Sequence, residues 1–365
     1  MSCTLGSARS IYPLCDEAGM PKCRVGNSVI VYEVMVDGAH LAMRVYMRPH
    51  RNLKAIYGDN YYPNELLVGS ANTASSLVDV VLCEWHDGES LQNKIETFCQ
   101  TPSKMSALSR MFEDFALALL NESWAHGDLK PENIIAGKDG LHLIDFDAIY
   151  RPEFSIDDCV EIGTRQYQHP QRSYATFDKS IDDYPIALIT TALAALALDK
   201  SLGKTLPYID RLLISPQLAV AGEDKMLDCI EKLFAEVGDV RHYRIAQLLR
   251  STTFALPQLK SLMEMKCSTA NESDELSVEY CNCGWGYAVR GEYVIPPYYD
   301  VAFDFSEGLG LVRIADIWHF IDRSGKVVIT CGRGSGIKPF RNGVTRMKCD
   351  DGDIVIYRDG RIEKE

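Results

Sequence analysis

The stretch from His126 to Asp147 constrains this chain more than any other. It reads His126-Gly127-Asp128-Leu129-Lys130-Pro131-Glu132-Asn133-Ile134-Ile135, passes a Lys138-Asp139-Gly140 turn, and continues Leu141-His142-Leu143-Ile144-Asp145-Phe146-Asp147. Apolar runs on either side of an Asp-Gly turn predict a short β-hairpin. Two acids, a lysine and an asparagine then sit on the loops that flank it. Phosphoryl transfer needs such a set: one acid orients the acceptor hydroxyl, an asparagine and a second acid hold magnesium, and a lysine neutralises the moving phosphoryl group.

The spacing resembles the catalytic loop and metal-binding triplet of the eukaryotic-type protein kinase family, H-R-D-x-K-x-x-N and D-F-G. The resemblance implies catalytic roles for Asp128, Lys130 and Asn133, magnesium ligation by Asn133 and Asp145, and ATP and magnesium as cofactors. Two positions depart from the pattern. Gly127 replaces the arginine that in the family reads a phosphate on the activation segment, so no switch of that kind is expected. Asp147 replaces the glycine of the triplet, which predicts a stiffer loop, because glycine reaches backbone angles that a residue with a Cβ adopts only at a cost.

Upstream, Val29 to Val36 and Leu41 to Tyr46 flank Asp37-Gly38 and predict a hairpin. Its second strand resembles the one that carries the family's phosphate-gripping lysine; here the position is Arg44. Arginine keeps the charge but is longer and planar. The competing reading of Arg44 is a surface or structural arginine on a strand. Gly26, Asn27 and Ser28 stand where the family has its glycine-rich loop, so they are expected at the nucleotide phosphates. The family's helix glutamate has no clear counterpart. Glu65, the sole glutamate between Val45 and Asp79, lies in a stretch that reads as a strand. Val80 to Trp85 resembles the hinge, which implies that Glu84, Trp85 and His86 face the adenine.

Apolar residues from Leu108 to Leu120 recur at helical spacing. Gly163-Thr164-Arg165-Gln166-Tyr167-Gln168-His169-Pro170-Gln171 resembles the family's peptide-docking signature, with Gln171 in place of an ion-paired glutamate. Asp182, ahead of an apolar run to Leu198, is the first choice for the acid that ties down the catalytic loop. That run looks too short to span a bilayer.

Beyond residue 280 the sequence turns to strands and turns, and it repeats. Trp285-Gly286-Tyr287 returns as Trp318-His319-Phe320, and Phe305-Ser306-Glu307-Gly308-Leu309 as Phe340-Arg341-Asn342-Gly343-Val344. Such units bury a face only by stacking. They resemble the WG repeat family of bacterial proteins. Core packing is the expected use of Trp285, Trp318, Phe305 and Phe340.

The reading that results is an α+β chain with a two-lobed protein kinase-like fold: a small β-rich lobe (22–85), a larger helical lobe (86–265), and then a small all-β repeat module (281–365). A 1–21 extension precedes it, and an acidic polar linker (266–280) separates the two parts. The expected activity is ATP- and magnesium-dependent phosphoryl transfer to serine or threonine hydroxyls of a protein, with the repeats recruiting a partner protein. A nucleotide-binding pseudokinase scaffold and a small-molecule kinase of the aminoglycoside or choline type are the alternatives. A net charge of −13 argues against nucleic acid as the main partner. Twelve cysteines with no C-x-x-C pair suit free thiols in a reducing compartment, and with no apolar signal core near the N-terminus a cytoplasmic chain with no membrane partner is expected.

Overall fold

Val29–Val36 and Ala39–Tyr46 are rich in β-branched and aromatic residues, and they pair antiparallel from Val36↔Ala39 to Val29↔Tyr46. Asp37 and Gly38, with φ of 50° and 86°, close the hairpin with the left-handed geometry that matches strand twist. In the computed structural model, which describes residues 3–5, 9–26, 28–70, 73–208, 212–264 and 274–365, this hairpin lies inside a seven-stranded antiparallel sheet. Thr73–Glu84 pairs with Ala39–Tyr46 and, on its other side, with Tyr61–Ser70. Cys23–Val25 and Arg9–Pro13 both pair with Val29–Val36. Residues 9–13 therefore belong to the sheet rather than to a separate extension.

Alternation along the strands sorts the side chains onto two faces. Val34, Val36, Met43, Val45, Val78 and Val80 form one apolar cluster with Ile11. Arg44 and Tyr46 share the opposite face, where Tyr46 and Val81 pack with Leu53 of the helix Leu53–Tyr57. Five residues cannot hold a helix alone. This one buries Leu53 and Ile56, and the Arg151 guanidinium donates to the carbonyls of Ala55 and Ile56 at 3.0 Å each. Ile134–Ala136 and Leu141–Leu143 form the predicted small hairpin, with Glu89–Ser90 as a third strand.

The chain divides into two units, and the division departs from the expected lobes. One unit combines residues 1–94, 123–164 and 172–182; the other combines 95–122, 165–171 and 183–365. In the second, the helix Pro102–Asn121 packs on Asp183–Leu198, which is buried almost all round. With its preceding 3-10 turn, Lys179–Leu198 passes for a membrane span by length and composition alone, a longer stretch than the apolar run Pro185–Leu198 that reads as too short. Yet 83% of its most apolar window is buried within the protein, as in a core helix. The amphipathic helices Lys225–Val237 and Val240–Leu248 each start at an aspartate: Asp224 accepts from Leu227 N at 2.9 Å, and Asp239 accepts from His242 N at 3.2 Å.

The C-terminal region forms three successive antiparallel sheets, within residues 277–299, 301–333 and 344–364. Ser277–Cys281 already pairs with Gly284–Val289, so the β-region starts before the expected boundary. Residues 265–273 of the expected linker lie outside the described residues. Within this unit the repeats pack against the helices. Arg244 donates to Tyr298 O (2.8 Å) and pairs with Asp300 (2.7 Å), and the Tyr298 hydroxyl donates to Ser261 O. Trp318 and Phe340 are buried as expected, whereas Trp285 and Phe305 are half-buried. The described cysteines from Cys15 to Cys349 are free thiols.

Candidate active site

The catalytic-type loop is built on a glycine and a buried acid. Ala125 and Tyr150 exchange backbone hydrogen bonds, which bring the chain before the loop against the chain after Asp145-Phe146-Asp147. Gly127, at φ 82°, lies so close to this junction that a Cβ would stand 2.0 Å from Ala148 O. Arginine cannot occupy that position, which is the physical reason for the departure noted in the sequence. The Asp182 carboxylate accepts the N–H groups of both His126 and Gly127 (2.9 Å for the latter), the tie expected of it. Burial pushes this carboxyl up, against the opposing pull of His126 and the two amides. His126 accepts from Asp128 N at Nδ1 and donates from Nε2 to Ile144 O (2.9 Å), which fixes its tautomer and links the loop to the residue before Asp145.

Asp128, Lys130 and Asn133 converge as the spacing predicts. Asp128 Oδ1 accepts from Thr164 N at 2.6 Å; Oδ2 accepts from Asn133 Nδ2 at 3.1 Å and lies 3.1 Å from Lys130 Nζ. Lys130 also donates to the Thr164 hydroxyl at 2.8 Å. Asn133 spends its Nδ2 on Asp128, on both the carbonyl and the carboxylate, which leaves its Oδ1 free of hydrogen bonds among the described residues. Asp145, with φ 69°, stands on the loop tied to Asn133 through the Ile144 N to Asn133 O bond of 2.9 Å. An amide oxygen and a carboxylate are hard donors of the kind magnesium takes, with phosphate and water completing its shell. Among the described residues no three His, Cys, Asp or Glu side chains gather as a cage.

Arg44 is buried, which removes the surface-arginine reading. Its Nη2 donates to Asp145 Oδ1 at 2.6 Å and Asp147 Oδ2 at 2.7 Å, and its Nε donates to the Tyr46 hydroxyl at 3.1 Å. Asp147 Oδ1 in turn accepts from Tyr46 (2.8 Å) and Tyr57 (2.6 Å). Burial works against the guanidinium charge, but the groups around it more than offset that and hold it firmly protonated. Burial pushes both phenols up, so they remain donors. Burial also works to raise the Asp145 carboxyl; Arg44 beside it wins and holds it below the usual range. Asp147 sits in a 3-10 turn, Phe146–Ala148, and is absent from the positive-φ residues, so the aspartate costs no backbone strain there.

Beside this cluster a cavity of about 540 Å³ opens, lined by Val31, Ala42, Leu82, Leu143 and Ile144, with Arg44 and Asp145 at its polar end. Glu84, Trp85 and His86, the residues of the hinge-like stretch, are among those that line it. Trp85 stacks on His40, and His86 stacks on His142 at 4.4 Å. Gly26 and Ser28 do not line it. Gly26 N donates to Val29 O in a tight turn, Ser28 borders a separate cavity, and Arg24 and Val31 from the flanking strands reach this one instead. Asn27 lies outside the described residues. The sequence reading missed Asp147 as a ligand of Arg44, and Tyr46 and Tyr57 as its supports. One signal was present: an extra acid in the triplet of a chain lacking the helix glutamate.

Residues 290–318 and 318–352 match the family model described as WG containing repeat. A comparison of the chain with curated proteins gave no match.

Proposed function

We propose that this protein is an ATP- and magnesium-dependent phosphotransferase acting on protein serine or threonine hydroxyls, with a protein kinase-like fold and a WG-repeat module that engages a partner protein. The observation that carries this reading is the convergence of Asp128, Lys130 and Asn133 on one loop, tied by its backbone to Asp145. Asp128 would orient the acceptor hydroxyl and take its proton. Lys130 would offset charge on the transferring group. Asn133 and Asp145 would hold magnesium, which when bound draws charge from the phosphates. The apolar walls and the 540 Å³ volume suit a purine base.

A pseudokinase is the second reading. Arg44 bridges both acids of the triplet, and Asp145 is thereby occupied by protein. Incubation with γ-labelled ATP and magnesium, with a mixed Ser/Thr peptide library in one arm and aminoglycosides and choline in another, separates the alternatives. Label on the chain itself or on peptide hydroxyls is the expected result. Label on the small alcohols alone would move the protein to that class of kinase. ATP binding without any transfer would favour the scaffold.

A further inference from the structure

Arg44 is held by two acids that differ in one respect. The Asp145 side chain is 40% exposed, whereas those of Asp147 and Arg44 are each 8% exposed. Asp145 therefore opens onto the cavity and can exchange partners, and Asp147 is enclosed. Asp147 is also fully committed to protein. The two tyrosine hydroxyls take its Oδ1, and Arg44 takes its Oδ2.

A buried guanidinium stripped of its acid is strongly destabilised. The proposed function asks exactly one thing of Asp145, that it pass to a metal ion, and Arg44 must then keep its charge on another acid. Among the described residues Asp147 is the only other acid paired with it. Among the described residues Glu65 forms no ion pair, and it lies on the strand Tyr61–Ser70.

We propose that Asp147 is the positioning residue for Arg44. It holds the guanidinium while Asp145 exchanges to the metal, and the Nη2 hydrogen released from Asp145 then turns to a nucleotide phosphate oxygen. Asp145 precedes the 3-10 turn Phe146–Ala148 and Asp147 lies within it, so the proposed metal ligand and the acid that holds Arg44 are carried by the same short segment. This inference rests on the ATP and magnesium reading and assigns the aspartate in the triplet a working role in it.

The test compares binding of ATP with magnesium and binding of adenosine, by calorimetry on the full chain. The variants are Asp147→Asn, which keeps an acceptor for the tyrosines and removes the charge, and Asp147→Gly with and without Tyr57→Glu, which returns an acid from the helix side. Melting temperature is recorded for each. The expected result is at least a tenfold loss of ATP affinity in Asp147→Asn with adenosine binding within twofold, and recovery of most of the Asp147→Gly loss on adding Tyr57→Glu. Equal ATP affinity in native protein and Asp147→Asn would overturn the positioning role alone. Loss of adenosine and ATP binding together in Asp147→Asn would make the residue structural and overturn it as well. Absence of ATP binding in the native protein would overturn the functional reading beneath it.

Discussion

A methyl group at position 127 would meet the Ala148 carbonyl oxygen at 2.0 Å and its carbon at 2.8 Å. Gly127→Ala should therefore displace the Asp128 loop from the metal triplet. The expected outcome is a fall in thermal stability, on the order of 2 kcal/mol or more, together with loss of phosphoryl transfer; a variant with native melting and native turnover would refute the packing argument. Asp182→Ala leaves the amides of His126 and Gly127 buried and unsatisfied. At about 1–3 kcal/mol each, that loss should be measurable by urea denaturation. The grouping of Asp128, Lys130, Asn133 and Asp145 was legible in the sequence because it follows from fixed local spacing around one short hairpin. Asp147, Tyr46 and Tyr57 were not, because their meaning lies in contacts across a long sequence separation. The Gly26 turn misled for a related reason: a glycine marks a turn without saying which cavity the turn borders.

At the scale of elements, the helix Leu53–Tyr57 is held by Arg151, whose guanidinium takes the carbonyls of Ala55 and Ile56. Arg151→Ala should loosen this helix, unseat Tyr57 from Asp147, and weaken ATP binding several-fold while the sheet stays folded. Limited proteolysis near residue 57 and an ATP titration would report it, and unchanged affinity would count against the link. In the other unit, His319 packs in the repeat core and donates from Nε2 to Ala235 O at the end of a helix. Burial pushes its imidazole down to about 4. Below pH 6.5 the unfolded chain takes a proton that the folded chain refuses. Stability should therefore fall as pH drops from 6.5 to 4, by about 3 kcal/mol in all. His242 behaves in the opposite sense. Burial lowers it, but Asp239 and Glu113 more than compensate and raise it to about 9, so its contribution is lost as pH climbs from 6.5 to 9. Urea midpoints across pH 4–9 should peak between these limbs, and His319→Gln should flatten the acid limb alone.

At the scale of the molecule, the strand grammar of the N-terminal residues, the helices and the C-terminal repeats were each readable from periodicity, because alternation and 3.6-residue spacing are local. The division of the chain was not. A polar segment near residue 270 reads as a linker, yet Arg244, Tyr298 and His319 join the repeats to the helices in one unit, and single polar residues of that kind carry no periodic signal. The central claim is phosphoryl transfer through Asp128 and Asp145. Its most direct measurement is γ-phosphate incorporation with labelled ATP and magnesium, comparing native protein with Asp128→Asn and Asp145→Ala at matched folding. Label in the native protein and a loss of at least about 10²-fold in both variants are expected. Label that persists in both would contradict the claim.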